Sequence, residues 1–140
     1  MPPWRVPSNL LKNHPRVITL PHLGASTREA EENCAVMVAE QVKDYLENGN
    51  VINSVNFPEV VMPRTEGAFR LAVVNSNVPN MLGQISSSLA KAGLNIIDML
   101  NKSRGDLAYT LVDVDKAVPQ SSIDEIAAIE GVLAIRAIDG

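Results

Sequence analysis

The chain has few of the residues on which disulfides, metal sites and aromatic binding surfaces depend. Its 140 residues include one cysteine, two histidines and 4% aromatic residues. One thiol cannot form an internal disulfide, which fits a reducing compartment, and these cysteine and histidine residues lack the spacing of metal ligands. We therefore expect no metal site, and we interpret Cys34 as a small buried side chain on a helix.

Long apolar runs and an excess of positive charge are also absent. The longest apolar runs are far shorter than the roughly 20 residues of a membrane span, and no signal peptide is recognisable. The net charge is -4, and no basic stripe is present that would neutralise phosphates. The sequence predicts a cytoplasmic protein that binds neither membranes nor nucleic acid.

The first part of the chain predicts an extended arm, a short strand and a long helix. Prolines before residue 16 exclude regular helix there, and residues 16–20 predict a short buried strand. Ser26 and Glu29 have capping-box spacing, and apolar residues at helical period predict a helix over 27–48. Because this helix is longer than a small sheet covers, we expect its apolar face to need another chain or domain.

From residue 69 onward the pattern alternates between strands and helices. The order βαββαβ with right-handed crossovers predicts an α+β, ferredoxin-like fold, in which both helices cover one face of a four-stranded antiparallel sheet. The composition of 57–67 suits a connector, so we divide the chain into 1–61 and 62–140. Strands are predicted at 69–75, 94–102, 107–114 and 132–138, with helices at 79–92 and from Ser122, which has capping-box spacing to Glu125.

Strand 94–102 is expected at an edge of this sheet. An unpaired edge that carries Ile96, Ile97, Met99 and Leu100 favours pairing with a second copy. We therefore predict a homodimer in which the sheet continues across both chains.

Polar side chains lie where the first strand of this sheet turns into a helix. Asn75 and Asn77 are at that corner, and Asn95 opens the next strand, which we expect to return it to the same end of the fold. The corner is therefore a candidate site for a small ligand. Alternatively, Asn77 simply caps the helix that Pro79 begins.

Four stretches of the chain, at 17–27, 32–35, 48–58 and 77–95, carry a recognisable pattern, with Pro-His-Leu-Gly at 21–24. Together they resemble the C-terminal part of the D-3-phosphoglycerate dehydrogenases, NAD-dependent members of the 2-hydroxyacid dehydrogenase family, including their ACT regulatory domain. The resemblance implies that 1–61 is a fragment of the catalytic region and that 62–140 is the ACT domain. It also implies that His22 is the catalytic acid/base of a full-length enzyme that uses NAD.

No G-x-G-x-x-G loop occurs in the sequence. We therefore expect this chain to bind no cofactor and to be inactive alone.

The resemblance further implies that an amino-acid effector binds at the seam of an ACT dimer, and in the serine-responsive members of the family this effector is L-serine. The side chains that match the family's effector positions are Asn75, Asn77 and Asn95. Amides suit this ligand because each offers donors and an acceptor for an ammonium and a carboxylate. Two alternatives stay open, a structural oligomerisation module with an empty corner and a freestanding ACT sensor of amino acids.

Overall fold

The computed structural model describes residues 11, 14–18, 20, 24 and 26–138. The chain forms two compact units, Met1–Met37 and Val38–Gly140. Its helices and strands, in chain order, are α1 Arg28–Asn48, β1 Phe69–Ser76, α2 Met81–Lys91, β2 Ile96–Arg104, β3 Leu107–Val114, α3 Gln120–Ala127 and β4 Val132–Ile138.

The four strands form one antiparallel sheet in the order β2-β3-β1-β4. Phe69 pairs with Val114 and Ser76 with Leu107, so β1 and β3 align over their whole length. The predicted βαββαβ fold is therefore confirmed, and β2 lies at an edge as predicted. The other edge is β4.

One face of the sheet packs against α2 and α3. Alternate residues of β1 and β3 point to this face, since side chains along a strand alternate between faces. Leu71 and Val73 of β1 meet Ile85 and Leu89 of α2 there, and all four are fully buried. Burying such a side chain contributes roughly 1.5–3 kcal/mol, so this core stabilises the packing of the helices on the sheet.

The connector covers the opposite face of the sheet. Val51 and Val60 pair through backbone hydrogen bonds of 2.8 and 2.9 Å, and with Met62 they pack on Tyr109 and Leu111. The predicted boundary between 61 and 62 separates a segment that resembles the catalytic region of a longer relative from a segment that resembles its ACT domain. This boundary stays a prediction. Physically, residues on both sides of it pack on the same sheet.

A buried ion pair holds the connector against the sheet. Nε of Arg70 donates to Oδ1 of Asp113 at 2.6 Å, and the two side chains are 0% and 1% exposed. Nη2 of Arg70 also donates to Oδ2 of Asp113 at 2.8 Å, and the other three N–H donors bond to the backbone oxygens of Asn48 at 3.0 Å, Met62 at 2.7 Å and Pro63 at 2.8 Å. One guanidinium thus joins β1, β3, the end of α1 and the connector.

Helix α1 is more exposed than its apolar periodicity predicts. None of its residues is buried, and Cys34 is exposed, so the interpretation of this thiol as a buried hydrophobe is wrong. The helix cap is also shifted, because Oγ1 of Thr27, not Ser26, accepts the N–H of Ala30 at 3.2 Å.

Two further local predictions need correction. Residues 16–18 and 20 are exposed and are not in a strand, since a buried strand requires neighbouring strands that this stretch does not meet; residue 19 lies outside the described residues. Helix α3 begins at Gln120 after Pro119. Ser122 is therefore buried inside the helix instead of capping it.

Candidate functional site

The corner between β1 and α2 lies beside two turns. The N–H of Ser76 donates to the carbonyl of Gly131 at 2.7 Å, and the N–H of Asn77 donates to the carbonyl of Asp106 at 2.9 Å. Nδ2 of Asn77 donates to the carbonyl of Gly105 at 3.1 Å, and the residue is exposed. Asn77 is thus fixed to the β2–β3 turn, and its amide oxygen has no hydrogen-bond partner within the part of the chain that the structure describes.

The start of α2 is formed by Asn80, not by Asn77. Asn80 takes a left-handed conformation with φ of 65° and makes no side-chain cap hydrogen bond. A Cβ at Gly83 would lie 2.5 Å from Oδ1 of Asn80, so the Asn80 amide lies across the first turn of the helix. The alternative interpretation of Asn77 as a helix cap is therefore wrong.

Asn75 belongs to a buried polar row beneath this corner. It is 2% exposed, and its Nδ2 donates to the carbonyl of Ser76 at 2.8 Å. Thr110 of β3 donates its hydroxyl to Oδ1 of Asn75 at 3.4 Å and accepts from Nδ2 of Asn101 at 2.7 Å. The row connects edge strand β2 to the corner, and it leaves Asn75 without open access to solvent.

Asn95 does not share an end of the sheet with the other two asparagines. Ile96 and Phe69 both pair with Val114, whereas Ser76 pairs with Leu107 at the other end. Asn95 is exposed, and its N–H donates to Oδ1 of Asp115 at 2.9 Å. The expectation that one chain brings Asn95 back to the corner is wrong, because β1 and β2 run in the same direction.

The face covered by the connector contains an apolar pocket of about 310 Å³. Val42, Phe57, Val74 and Tyr109 are among its lining residues, and no charged side chain lines it. The Tyr109 hydroxyl donates to the carbonyl of Gly49 at 2.7 Å. Burial, and after it the neighbouring Tyr45 phenol, raises the pKa of Tyr109 to about 12.

The described residues do not form a site for NAD or for a metal. Strand β1 leads into α2 through Asn77-Val78-Pro79-Asn80, which is not a glycine loop, and the sheet to which β1 belongs is antiparallel. No group of three or more His, Cys, Asp or Glu residues is placed to hold a metal in the described part of the chain. His22 lies outside the described residues.

No helix among the described residues combines the length and apolarity that crossing a membrane requires.

Comparison with known proteins gives a consistent relationship. The chain is 34% identical over 128 residues to D-3-phosphoglycerate dehydrogenase of Haemophilus influenzae. The aligned region covers 91% of this chain and 31% of that protein. The chain is homologous to a segment of the D-3-phosphoglycerate dehydrogenases. D-3-phosphoglycerate dehydrogenase 1 of Saccharomyces cerevisiae is 34% identical over 116 residues, 80% of this chain and 24% of its own length. The chain therefore spans about a third or less of the dehydrogenases that it matches.

The sequence prediction of this relationship is thereby confirmed. The ACT domain from GTP pyrophosphokinase of Chlorobium tepidum matches with a TM-score of 0.45 and 14% identity, over 52% of this chain and 99% of that domain. No family model matches the chain.

Sequence reasoning missed the two buried polar groups that organise the sheet. Arg70 and Asp113 are the only charged residues of β1 and β3, and each lies one residue from the paired ends Phe69 and Val114. The signal in the sequence was a pair of opposite charges, Arg70 and Asp113, at matching positions of two antiparallel strands. Asn101 and Thr110 are likewise direct partners in the register of β2 and β3.

Proposed function

We propose that this chain is a regulatory segment of an NAD-dependent D-3-phosphoglycerate dehydrogenase and binds an amino acid, L-serine, between two copies of its ACT fold. In this proposal the catalytic reaction belongs to a longer protein, in which His22 is the acid/base. The chain described here contributes the effector site and the dimer contact.

The observation that carries the proposal is the placement of Asn77 and Asn95 at opposite ends of one sheet. When two identical edge strands pair antiparallel about a twofold axis, the start of one strand meets the end of the other. Pairing along β2 therefore brings Asn95 of the partner subunit to the corner that carries Asn77. Two equivalent sites form, and neither is complete in one chain.

The chemistry of this corner suits a small zwitterion. The exposed Asn77 amide retains an acceptor, and Asn95 of the partner subunit supplies both donor and acceptor atoms. The first N–H groups of α2 follow at Met81 without a side-chain cap, and such groups favour a carboxylate. Asn75 is buried, so we assign it a positioning role through the backbone of Ser76.

Calorimetric titration of the full chain with L-serine tests this function. We expect saturable heat with one serine per chain and its loss in Asn77→Ala and in Asn95→Ala, because each variant removes one side of both sites. Gln120→Ala is a matched control, since this exposed amide bonds only within α3. Absence of heat with the wild-type chain, in a sample shown by sedimentation to be dimeric, would contradict ligand binding.

A structural oligomerisation module with an empty corner is the second candidate. The bonds from Asn77 to Gly105 and from Asn75 to Ser76 favour it, because both amides already serve the fold. This candidate predicts a dimer that ignores serine. A freestanding sensor is the third candidate, and its distinguishing property is serine binding without any attached catalytic region.

A further inference from the structure

The edge strand β2 carries its charges in a pattern that is complementary to itself. Asp98, Leu100 and Lys102 alternate along the strand and therefore share the connector side of the sheet, where Leu100 packs against the cluster that contains Tyr109 and Leu111. Asp98 and Lys102 are exposed. Among the described residues, neither forms an ion pair with a charged side chain of its own chain.

We propose that two copies pair antiparallel along β2 with Leu100 on the twofold axis, so that Asp98 of each chain faces Lys102 of the partner subunit. This inference rests on the dimer of the proposed function and specifies its register. Antiparallel strands place residues at equal distances from the axis directly opposite each other. Asp98, two residues before Leu100, then lies opposite Lys102 of the partner subunit, two residues after it. The twofold symmetry produces this pair twice, once on each side of the axis.

Directly opposite side chains in an antiparallel pair have Cβ atoms about 4.5–5.5 Å apart, so opposite charges attract and like charges repel. A shift of the twofold axis by one residue toward the amino end would face Asp98 with Leu100 of the partner subunit. That register leaves Asp98 and Lys102 of both chains without a facing countercharge. Charge complementarity therefore selects the register centred on Leu100 over this neighbour.

The register on the other side, centred on Asn101, faces Asp98 with Arg104 of the partner subunit. Arg104 is already engaged, since its Nη1 donates to the carbonyl of Ser54 at 3.2 Å. Lys102 has no such bond in the described chain. The geometry therefore favours Lys102 as the partner of Asp98.

The same register agrees with the effector site. It places the segment that precedes Asp98, including Asn95, beside the partner subunit's β2–β3 turn. Asn77 is bonded to that turn through Gly105. The contact and the proposed ligand site thus share one geometry.

The other free edge, β4, lacks this complementarity. Its only charged residue is Arg136, and the guanidinium of Arg136 donates to the carbonyl of Tyr45 and lies over the Tyr45 ring, 4.6 Å from its centroid. Pairing two copies along β4 would bring together like charges and no acid. We therefore assign the contact to β2.

A charge-exchange experiment tests the register. Sedimentation equilibrium of the full chain gives the dimer dissociation constant for wild type, Asp98→Lys, Lys102→Asp and the double exchange D98K/K102D. Each single change converts two attractive pairs into two repulsive ones, and we expect it to raise the dissociation constant about tenfold or more. The double exchange restores attraction and should return to within about threefold of wild type.

Glu40→Lys and Lys43→Asp serve as controls, because they make the same changes of net charge at exposed positions of α1. They should leave the dissociation constant unchanged. Lys102→Asp disturbs no hydrogen bond of the described chain, so it remains informative if Asp98→Lys, which loses the bond from Asp98 to the N–H of Met99, melts at a lower temperature.

A wild-type dimer whose dissociation constant ignores all three changes would overturn the register and leave the dimer standing. Rescue by D98R/R104D, and not by D98K/K102D, would move the axis to Asn101 and also overturn the proposal. A monomeric wild-type chain would remove the dimer itself, and with it the proposed function.

Discussion

At the scale of single residues, two groups that look ordinary in the sequence are buried in polar roles. Tyr109 is 1% exposed and bonds through its hydroxyl to Gly49. Gly49 has φ of 75°, and a Cβ at this position would lie 2.8 Å from Cδ1 of Ile138. Tyrosine and glycine together fix where α1 ends, because the glycine permits the left-handed turn and the phenol holds its carbonyl.

Replacement of Tyr109 by phenylalanine should reduce the loss of unfolding free energy that the protein shows as the pH rises above 10. The raised pKa of Tyr109, about 12 against 10.0, means that the unfolded chain releases the phenolic proton first. Its contribution is fully present below pH 10 and is lost as pH rises toward 12, by up to about 3 kcal/mol. Urea unfolding of wild type and Tyr109→Phe between pH 9 and 12 measures the difference in slope.

Tyr45→Phe should reduce the alkaline decline only in part, because it removes the smaller contribution of the Tyr45 phenol to the raised pKa of Tyr109 and leaves the burial of Tyr109 and the ring contact with Arg136 in place. If Tyr109→Phe retains the full wild-type decline of unfolding free energy, the pKa of Tyr109 is not raised by burial.

At the scale of elements, the strands could be predicted from the sequence and several helix starts could not. Predicted β3 and β4 have the observed bounds, because apolar residues and turn residues mark both ends. Capping-box spacing predicted the wrong caps at Ser26 and Ser122. Thr27 caps α1, and α3 begins directly after Pro119. The hydrogen bonds of a cap depend on backbone geometry that the spacing alone does not fix.

The position of Asn95 shows a different limit. The predicted order βαββαβ already makes β1 and β2 run in the same direction, so the start of β2 lies far from the end of β1. The candidate residues were therefore found from their motif, whereas their arrangement required the register. The buried row of Asn75, Thr110 and Asn101 likewise appears only when the three strands are aligned.

Loss of Arg70 should separate the elements that its guanidinium joins. Arg70→Met leaves Asp113 buried without a countercharge, so we expect the free energy of unfolding to fall by about 3–5 kcal/mol. Arg28→Met removes the exposed pair with Glu32, whose side chains are 92% and 65% exposed, and should have little effect. Urea denaturation of both variants measures the contrast, and equal small effects would contradict the role of Arg70.

At the scale of the whole molecule, the proposed function depends on each ligand site being divided between two chains. Asn77 and Asn95 are exposed at opposite ends of the sheet, and a free edge strand with complementary charges lies along the side that joins them. A pocket within one chain could not include two side chains that lie at opposite ends of the sheet. The division therefore predicts a property that a site within one chain cannot show.

The most direct test is calorimetric titration with L-serine after mixing the two inactive variants Asn77→Ala and Asn95→Ala under conditions of subunit exchange. In a mixed dimer, one site loses both asparagines and the other keeps both. Binding should therefore return at wild-type affinity with about one quarter of the wild-type stoichiometry, since half of the dimers are mixed. No recovered binding in a mixture whose exchange is verified by mass-labelled subunits would contradict a site shared across the seam.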